Sequence, residues 1–211
     1  MFIIDFDDTL FDTQKFKQEL ASSLLSLGIG EKLFWQTYAE ARILSDGNFS
    51  YSFERHASIL DREGFDYKQV LDNLNKVKEK INNFLFEDAI YFLESLKESK
   101  QDLYLLSLGD ENFQKLKVEE CRISKYFKQA FFRGKDKELV VKEILAENKD
   151  SKDSNVFFIN DKIEESQKIK NDFPEVKVIL KQAVTLTEEE YKKSGLKYFK
   201  TLTEIKEYVT N

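Results

Sequence analysis

The chain opens on an uninterrupted apolar run, Phe2-Ile3-Ile4, that breaks into carboxylates at Asp5, Asp7 and Asp8, with Thr9 behind them. A continuous apolar run of this kind predicts a strand of a parallel sheet, buried on both faces. The period then changes to that of a helix. Phe16, Leu20, Leu24 and Leu27 recur at helical spacing behind a capping Asp12 or Thr13, and Gly28 and Gly30 end the run. A second stripe holds Leu33, Phe34, Tyr38, Ala41 and Leu44 up to Gly47. A third holds Phe53, Ala57 and Leu60 behind Ser50 or Ser52, with Gly64 past its end. The fourth, behind Asp66, holds Val70, Leu74, Val77 and Ile81. No strand signal interrupts these stripes, so residues 14–86 read as a bundle of amphipathic helices.

Beyond residue 88 strands and helices alternate. A helix over 88–100 leads to an apolar strand, Leu103–Leu106, that ends in Ser107-Leu108-Gly109-Asp110. A helix over 111–120 and the segment Ile123–Phe127 lead into a short strand, Ala130–Phe132. Then come a helix over 137–147, the strand Val156–Ile159 ending in Asn160-Asp161, and a helix over 163–172 stopping before Pro174. Residues 176–180 form the last predicted strand, and the tail holds two short helices. The second opens on Thr201-Leu202-Thr203-Glu204, a capping-box pattern. This alternation predicts an α/β, Rossmann-like parallel sheet of about five strands flanked by helices. The strand at 2–6 starts that sheet, which makes the bundle an insertion. The expected division is a core domain of residues 1–13 and 87–211 and a helical cap domain of residues 14–86.

Composition narrows the classes of function. Hydrophobic residues at 41%, nineteen of them Phe, suffice for a sizeable core. The net charge of −6, with no separate basic block, gives no nucleic-acid surface. Cys121 is the only cysteine, so no internal disulfide can form, in keeping with a reducing compartment. No apolar run approaches the length needed to span a bilayer, and the first residues read as a strand rather than a signal peptide. The expectation is a cytoplasmic protein with no membrane, nucleic-acid or obligate protein partner.

Asp5 and Asp7 stand immediately behind a buried strand, where each carboxylate disfavours ionisation of the other. A bound cation, or a reaction that uses both, explains the arrangement. In open α/β sheets ligands lie beyond the carboxyl ends of the strands, where these residues project. Asp5-Phe6-Asp7-Asp8-Thr9 resembles the D-x-D-x-T first motif of the haloacid dehalogenase (HAD) superfamily. Leu105-Leu106-Ser107 is similar to the second motif, an apolar strand ending in Ser or Thr. Lys135-Asp136-Lys137-Glu138-Leu139 matches the third-motif lysine with two choices. Lys137 is preferred, because its spacing to Val140, Val141 and Ile144 suits a helix that starts there. Phe158-Ile159-Asn160-Asp161 resembles the fourth motif, with Asn160 and Glu165 departing from the usual acidic or Gly and Asp residues.

The resemblance implies a Mg²⁺-dependent phosphatase acting on a small phosphorylated metabolite through an aspartyl-phosphate. Asp5 is the implied nucleophile and Asp7 the implied acid and base. The implied metal ligands are Asp5, the Asp7 main-chain carbonyl and Asp161, with Glu165 as an outer acid. Thr9, Ser107 and Gly109 are the implied phosphate-binding residues, and Lys137 or Lys135 pairs with phosphate and nucleophile. Dehalogenases of the superfamily lack the acid corresponding to Asp7. Alternatives are a phosphomutase or other phosphotransferase with the same motifs, and a non-catalytic phosphate-binding regulator with an altered fourth motif. A receiver-type signalling domain would be about half this length and have no insert. Outside the motifs, Asp8 reads as a turn residue, Asp12 as a helix cap, Asp110 as solvent-exposed by default and His56 as a surface histidine. Phe34, Trp35 and Tyr38 read as bundle core, and Cys121 as a buried small residue.

Overall fold

A computed structural model describes residues 1–43, 50–148 and 155–210. Leu44 and Gly47, expected near the end of the second helix, lie outside these residues. Six parallel strands form one sheet in the order β3-β2-β1-β4-β5-β6: β1 Phe2–Ile4, β2 Leu103–Leu108, β3 Gln129–Arg133, β4 Phe157–Asn160, β5 Lys177–Lys181 and β6 Lys197–Phe199. Ile4 pairs with Leu105 on one side and Ile159 on the other, so β1 occupies the middle. The chain winds away from it in both directions, and the order reverses there.

Alternation along the strands divides the interior in two. Phe2, Ile4, Leu103, Leu105, Phe157 and Ile159 face one side. The helices α5 (Ala89–Glu98), α6 (Glu111–Glu120) and α10 (Leu202–Thr210) pack there. Ile3, Tyr104, Leu106 and Phe158 face the other, under α7 (Lys137–Glu147) and α8 (Ile163–Asp172). The remaining helix of this region, α9 (Glu188–Ser194), is tied to the sheet by its buried Tyr191.

Between β1 and α5 run four helices, α1 Thr13–Leu24, α2 Glu31–Arg42, α3 Phe53–Arg62 and α4 Tyr67–Lys78. Their caps follow from the sequence. Asp12 accepts from the Lys15 amide, Ser52 rather than Ser50 from Arg55, and Asp66 from Gln69. The bundle's apolar faces join the cluster on the α5 side of the sheet, so cap and core share one continuous interior. The two crossings into the bundle are also bonded to each other. The Asp12 amide donates to Phe84 O at 2.7 Å and the Phe86 amide to Leu10 O at 3.0 Å, flanking a bridge between Phe11 and Leu85.

The parallel α/β sheet is as expected, with a sixth strand, β6, between the two short helices of the tail. Two expectations are corrected. Trp35 is 36% exposed, although Phe34 beside it is buried, because successive helix positions are turned about 100° from one another, which carries Trp35 off the buried face. His56 is fully buried, not superficial. No described helix is long and apolar enough to cross a membrane.

Candidate active site

At the carboxyl edge of the sheet, β1 and the strands on both sides of it each contribute one group. Asp5 follows β1, Ser107 lies within β2, Lys137 opens α7 after β3, and Asp161 follows β4. All four are buried and line a cavity of about 380 Å³ together with Asp7 and Glu165. Lys137 Nζ donates to Asp5 Oδ1 at 2.5 Å, to Asn160 Oδ1 at 2.9 Å, and meets Glu165 Oε2 at 2.8 Å. Lys135 is exposed and outside the cavity lining, so the lysine of this site is Lys137.

The remaining residues singled out from the sequence fall in different places. Thr9 is fully buried and does not line the cavity; its hydroxyl donates to Asp5 Oδ2 at 3.2 Å, behind the carboxylate. Gly109 lines the cavity, but its N–H donates to Arg133 O at 2.8 Å and is not free for a phosphate. Its φ of +141° and the Gln114 side chain, 2.7 Å from where a Cβ would stand, account for a glycine here. Glu165 pairs with Lys137 and Lys162. Burial raises its pKa, but the two lysines outweigh this and hold it at about 2. Asn160 joins the pieces, accepting from Lys137 and donating to Ser166 Oγ at 3.2 Å and Glu165 at 3.3 Å. Asp8 takes the left-handed φ of +56° that turns the chain. Asp110 caps α6 and accepts from Ser50 of the bundle at 2.6 Å.

Asp7 has partners that no motif announced. Its carboxylate accepts from Lys117 at 2.5 Å, Gln114 at 2.7 Å and Thr13 at 2.7 Å. Burial pushes its pKa up, but the Lys117 charge and these hydrogen bonds win and lower it. Lys117 is itself buried among the rings of Phe6, Phe11 and Phe113. The sequence did carry a signal. Gln114, Lys117, Val118 and Cys121 follow i, i+3, i+4, i+7 spacing, so two polar residues occupy a core-facing stripe.

Asp5 lies close enough to Asp161 to oppose its ionisation. Burial first, and then Asp5, raise the Asp161 pKa to about 8; burial also raises that of Asp5 against the pull of Lys137. Asp161 Oδ1 and Ser107 Oγ are buried without a hydrogen-bond partner among the described residues. Buried polar atoms are nearly always satisfied, so two orphans facing one cavity mark a place for a ligand. Among the described residues no three His, Cys, Asp or Glu side chains form a metal-holding group. Two carboxylates and a main-chain carbonyl nevertheless suit Mg²⁺, which keeps several waters. An unsatisfied carboxylate oxygen beside a second carboxylate fits such an ion.

No protein-family model and no curated protein matches the sequence. Solved structures do. A "predicted phosphatase" from Clostridium acetobutylicum aligns over 99% of this chain and 97% of its own at 17% identity, TM-score 0.60. A haloacid dehalogenase-like hydrolase from Burkholderia xenovorans aligns over 98% and 94% at 15% identity, TM-score 0.70. A HAD hydrolase from Bacillus subtilis, bound to magnesium, aligns over 100% and 98% at 14% identity, TM-score 0.58. Dehalogenases also occur among these neighbours. Along its whole described length, this chain has the HAD-like fold.

Proposed function

We propose that the protein is a Mg²⁺-dependent phosphatase of the HAD superfamily that hydrolyses a small phosphorylated metabolite. The observation that carries this reading is the meeting of Asp5, Asp161, Ser107 and Lys137 at one end of a cavity, with Asp161 Oδ1 and Ser107 Oγ unsatisfied. Asp5, Asp161 and the Asp7 carbonyl would hold the ion, which supplies positive charge for the phosphoryl oxygens.

A carboxylate oxygen of Asp5 attacks phosphorus and the bond to the leaving oxygen breaks, giving an acyl phosphate on Asp5. Lys137 fixes the Asp5 carboxylate from one side and Thr9 from the other. The Ser107 hydroxyl donates to a phosphoryl oxygen. The leaving oxygen takes a proton from the Asp7 carboxyl; water then attacks phosphorus, gives its proton to Asp7 and frees Asp5 and phosphate. Contacts to Lys117, Gln114 and Thr13 hold Asp7 as the anion that the water step needs, so its protonated form requires loosening of the Lys117 contact. A departing halide needs no proton. Phosphate ester chemistry, unlike dehalogenation, gives Asp7 and its three partners a task.

The test is phosphate release from a panel of phosphorylated metabolites and an aryl phosphate, with Mg²⁺ and with EDTA. Activity that disappears with EDTA and in Asp5→Asn supports the reading. Full activity in Asp5→Asn contradicts it, as does wild type that cleaves nothing.

A further inference from the structure

The cavity that holds the reacting groups is also lined by residues of the helical bundle, among them cationic side chains that the phosphatase chemistry does not use. On α1, Thr13 reaches the Asp7 carboxylate, and Lys17 lies one turn further on the same face. Four residues advance about 6 Å along the axis, so Lys17 lines the same cavity one turn away from the residue that holds Asp7, the group assigned to the leaving oxygen. On α2 the same spacing places Tyr38 and Arg42 on the cavity wall, with the guanidinium carbon 5.9 Å from the Tyr38 ring centre.

Three other cations of the cavity are held in ion pairs. Lys137 is held by Asp5 and Glu165, Lys162 by Glu165, and Lys117 by Asp7. Lys17 forms no ion pair among the described residues. It is half-buried, and burial pulls its pKa down. The charged groups facing it are Asp8 and Asp7, which raise it, and Arg42 and Lys117, which lower it further. Asp8, the nearest acid in effect, accepts a hydrogen bond from Gln14 and does not pair with Lys17. A partly desolvated cation with no ion-pair partner is unfavourable unless a ligand supplies one.

We propose that the substrate is a short phosphomonoester carrying a second anionic group, a carboxylate or another phosphate, on its leaving-group side, and that Lys17 receives that group. This rests on the phosphatase reading and narrows it. A cavity of about 380 Å³ is at the small end of ligand sites, so the two anionic groups are joined by a short carbon chain.

The test compares matched pairs. One is 4-(phosphonooxy)butanoate against its primary amide; the other is butane-1,4-diol bisphosphate against the monophosphate. The wild type is expected to favour the charged member of at least one pair by about tenfold in kcat/KM, the scale of one charge-assisted contact. Whichever pair shows the larger ratio tells carboxylate from phosphate. The ratio should fall below about threefold in Lys17→Met and persist in Lys17→Arg. Equal use of charged and uncharged members by the wild type overturns the proposal, whatever the variants do. So does a ratio unchanged in a folded Lys17→Met.

Calorimetric binding of the methylene phosphonate counterparts, in which no ester bond can break, gives a second readout. Preference for the charged phosphonate without turnover of any ester contradicts the phosphatase reading and leaves the anion site standing. Turnover without any charge preference does the reverse.

Discussion

Lys137 has three hydrogens and three acceptors, Asp5, Asn160 and Glu165, so the site is held together before any substrate arrives. Removing one partner of a buried ion pair strands the others. Lys137→Met is expected to lower the unfolding free energy by about 3 kcal/mol and to abolish turnover. Urea denaturation alongside the phosphate assay checks this; unchanged stability would show that the lysine is not the keystone described. Gly109→Ala puts a methyl group at a left-handed φ and against Gln114, which then loses its grip on Asp7. The expected cost is about 1–3 kcal/mol in stability, with a fall in kcat. At this scale the sequence exposed the groups that sit at strand ends. Asp5, Ser107, Lys137 and Asp161 announce themselves by following apolar runs or opening a stripe. Gln114 and Lys117 did not, because they approach Asp7 from a helix face, where polarity looks like solvent exposure until the period is counted.

At the scale of elements, the buried His56 of α3 is held by Thr37 of α2 and by Tyr51 just before α3. Thr37 Oγ1 lies 2.9 Å from His56 Nε2, and the Tyr51 hydroxyl 3.0 Å from Nδ1. Thr37 has one hydrogen, directed to the Leu33 carbonyl at 2.9 Å, so it accepts from Nε2–H and Tyr51 donates to Nδ1. That arrangement satisfies a neutral ring. Burial lowers the His56 pKa to about 4. The unfolded chain, with a histidine near 6.5, binds the proton first as pH falls. Stability is therefore expected to drop between about pH 6.5 and 4, by up to about 3 kcal/mol from this residue. His56→Gln should flatten that part of the stability curve; superimposable slopes would contradict the assignment. The stripes of α1, α3 and α4 and their caps were legible because period and cap agree. β6 was not: its three residues, Lys197–Phe199, are half-buried or exposed at the sheet edge and have no apolar run to mark them.

Across the whole molecule, the bundle is not a separate globule. Its apolar face merges with the α5 side of the sheet, and its two crossings are bonded to each other. The lone tryptophan, Trp35, sits in the bundle. Equilibrium unfolding followed by its fluorescence is therefore expected to coincide with unfolding followed by far-ultraviolet circular dichroism. A separate, earlier fluorescence transition would show that the bundle melts alone. The alternation of strands and helices, and the insertion between β1 and α5, could be read from periodicity. Continuity of the two interiors could not, because it depends on which side of the sheet the bundle's apolar face meets.

In the proposed function Asp5 is the group that takes the phosphoryl. Acid-quenched turnover of a cleaved phosphoester, followed by mass spectrometry of the intact protein and its peptides, tests that most directly. The expected result is a wild-type fraction heavier by one phosphoryl group, located on the peptide containing Asp5, sensitive to hydroxylamine and absent from Asp5→Asn. Steady turnover with no such adduct, in an enzyme whose Asp5→Asn variant remains active, would contradict the account.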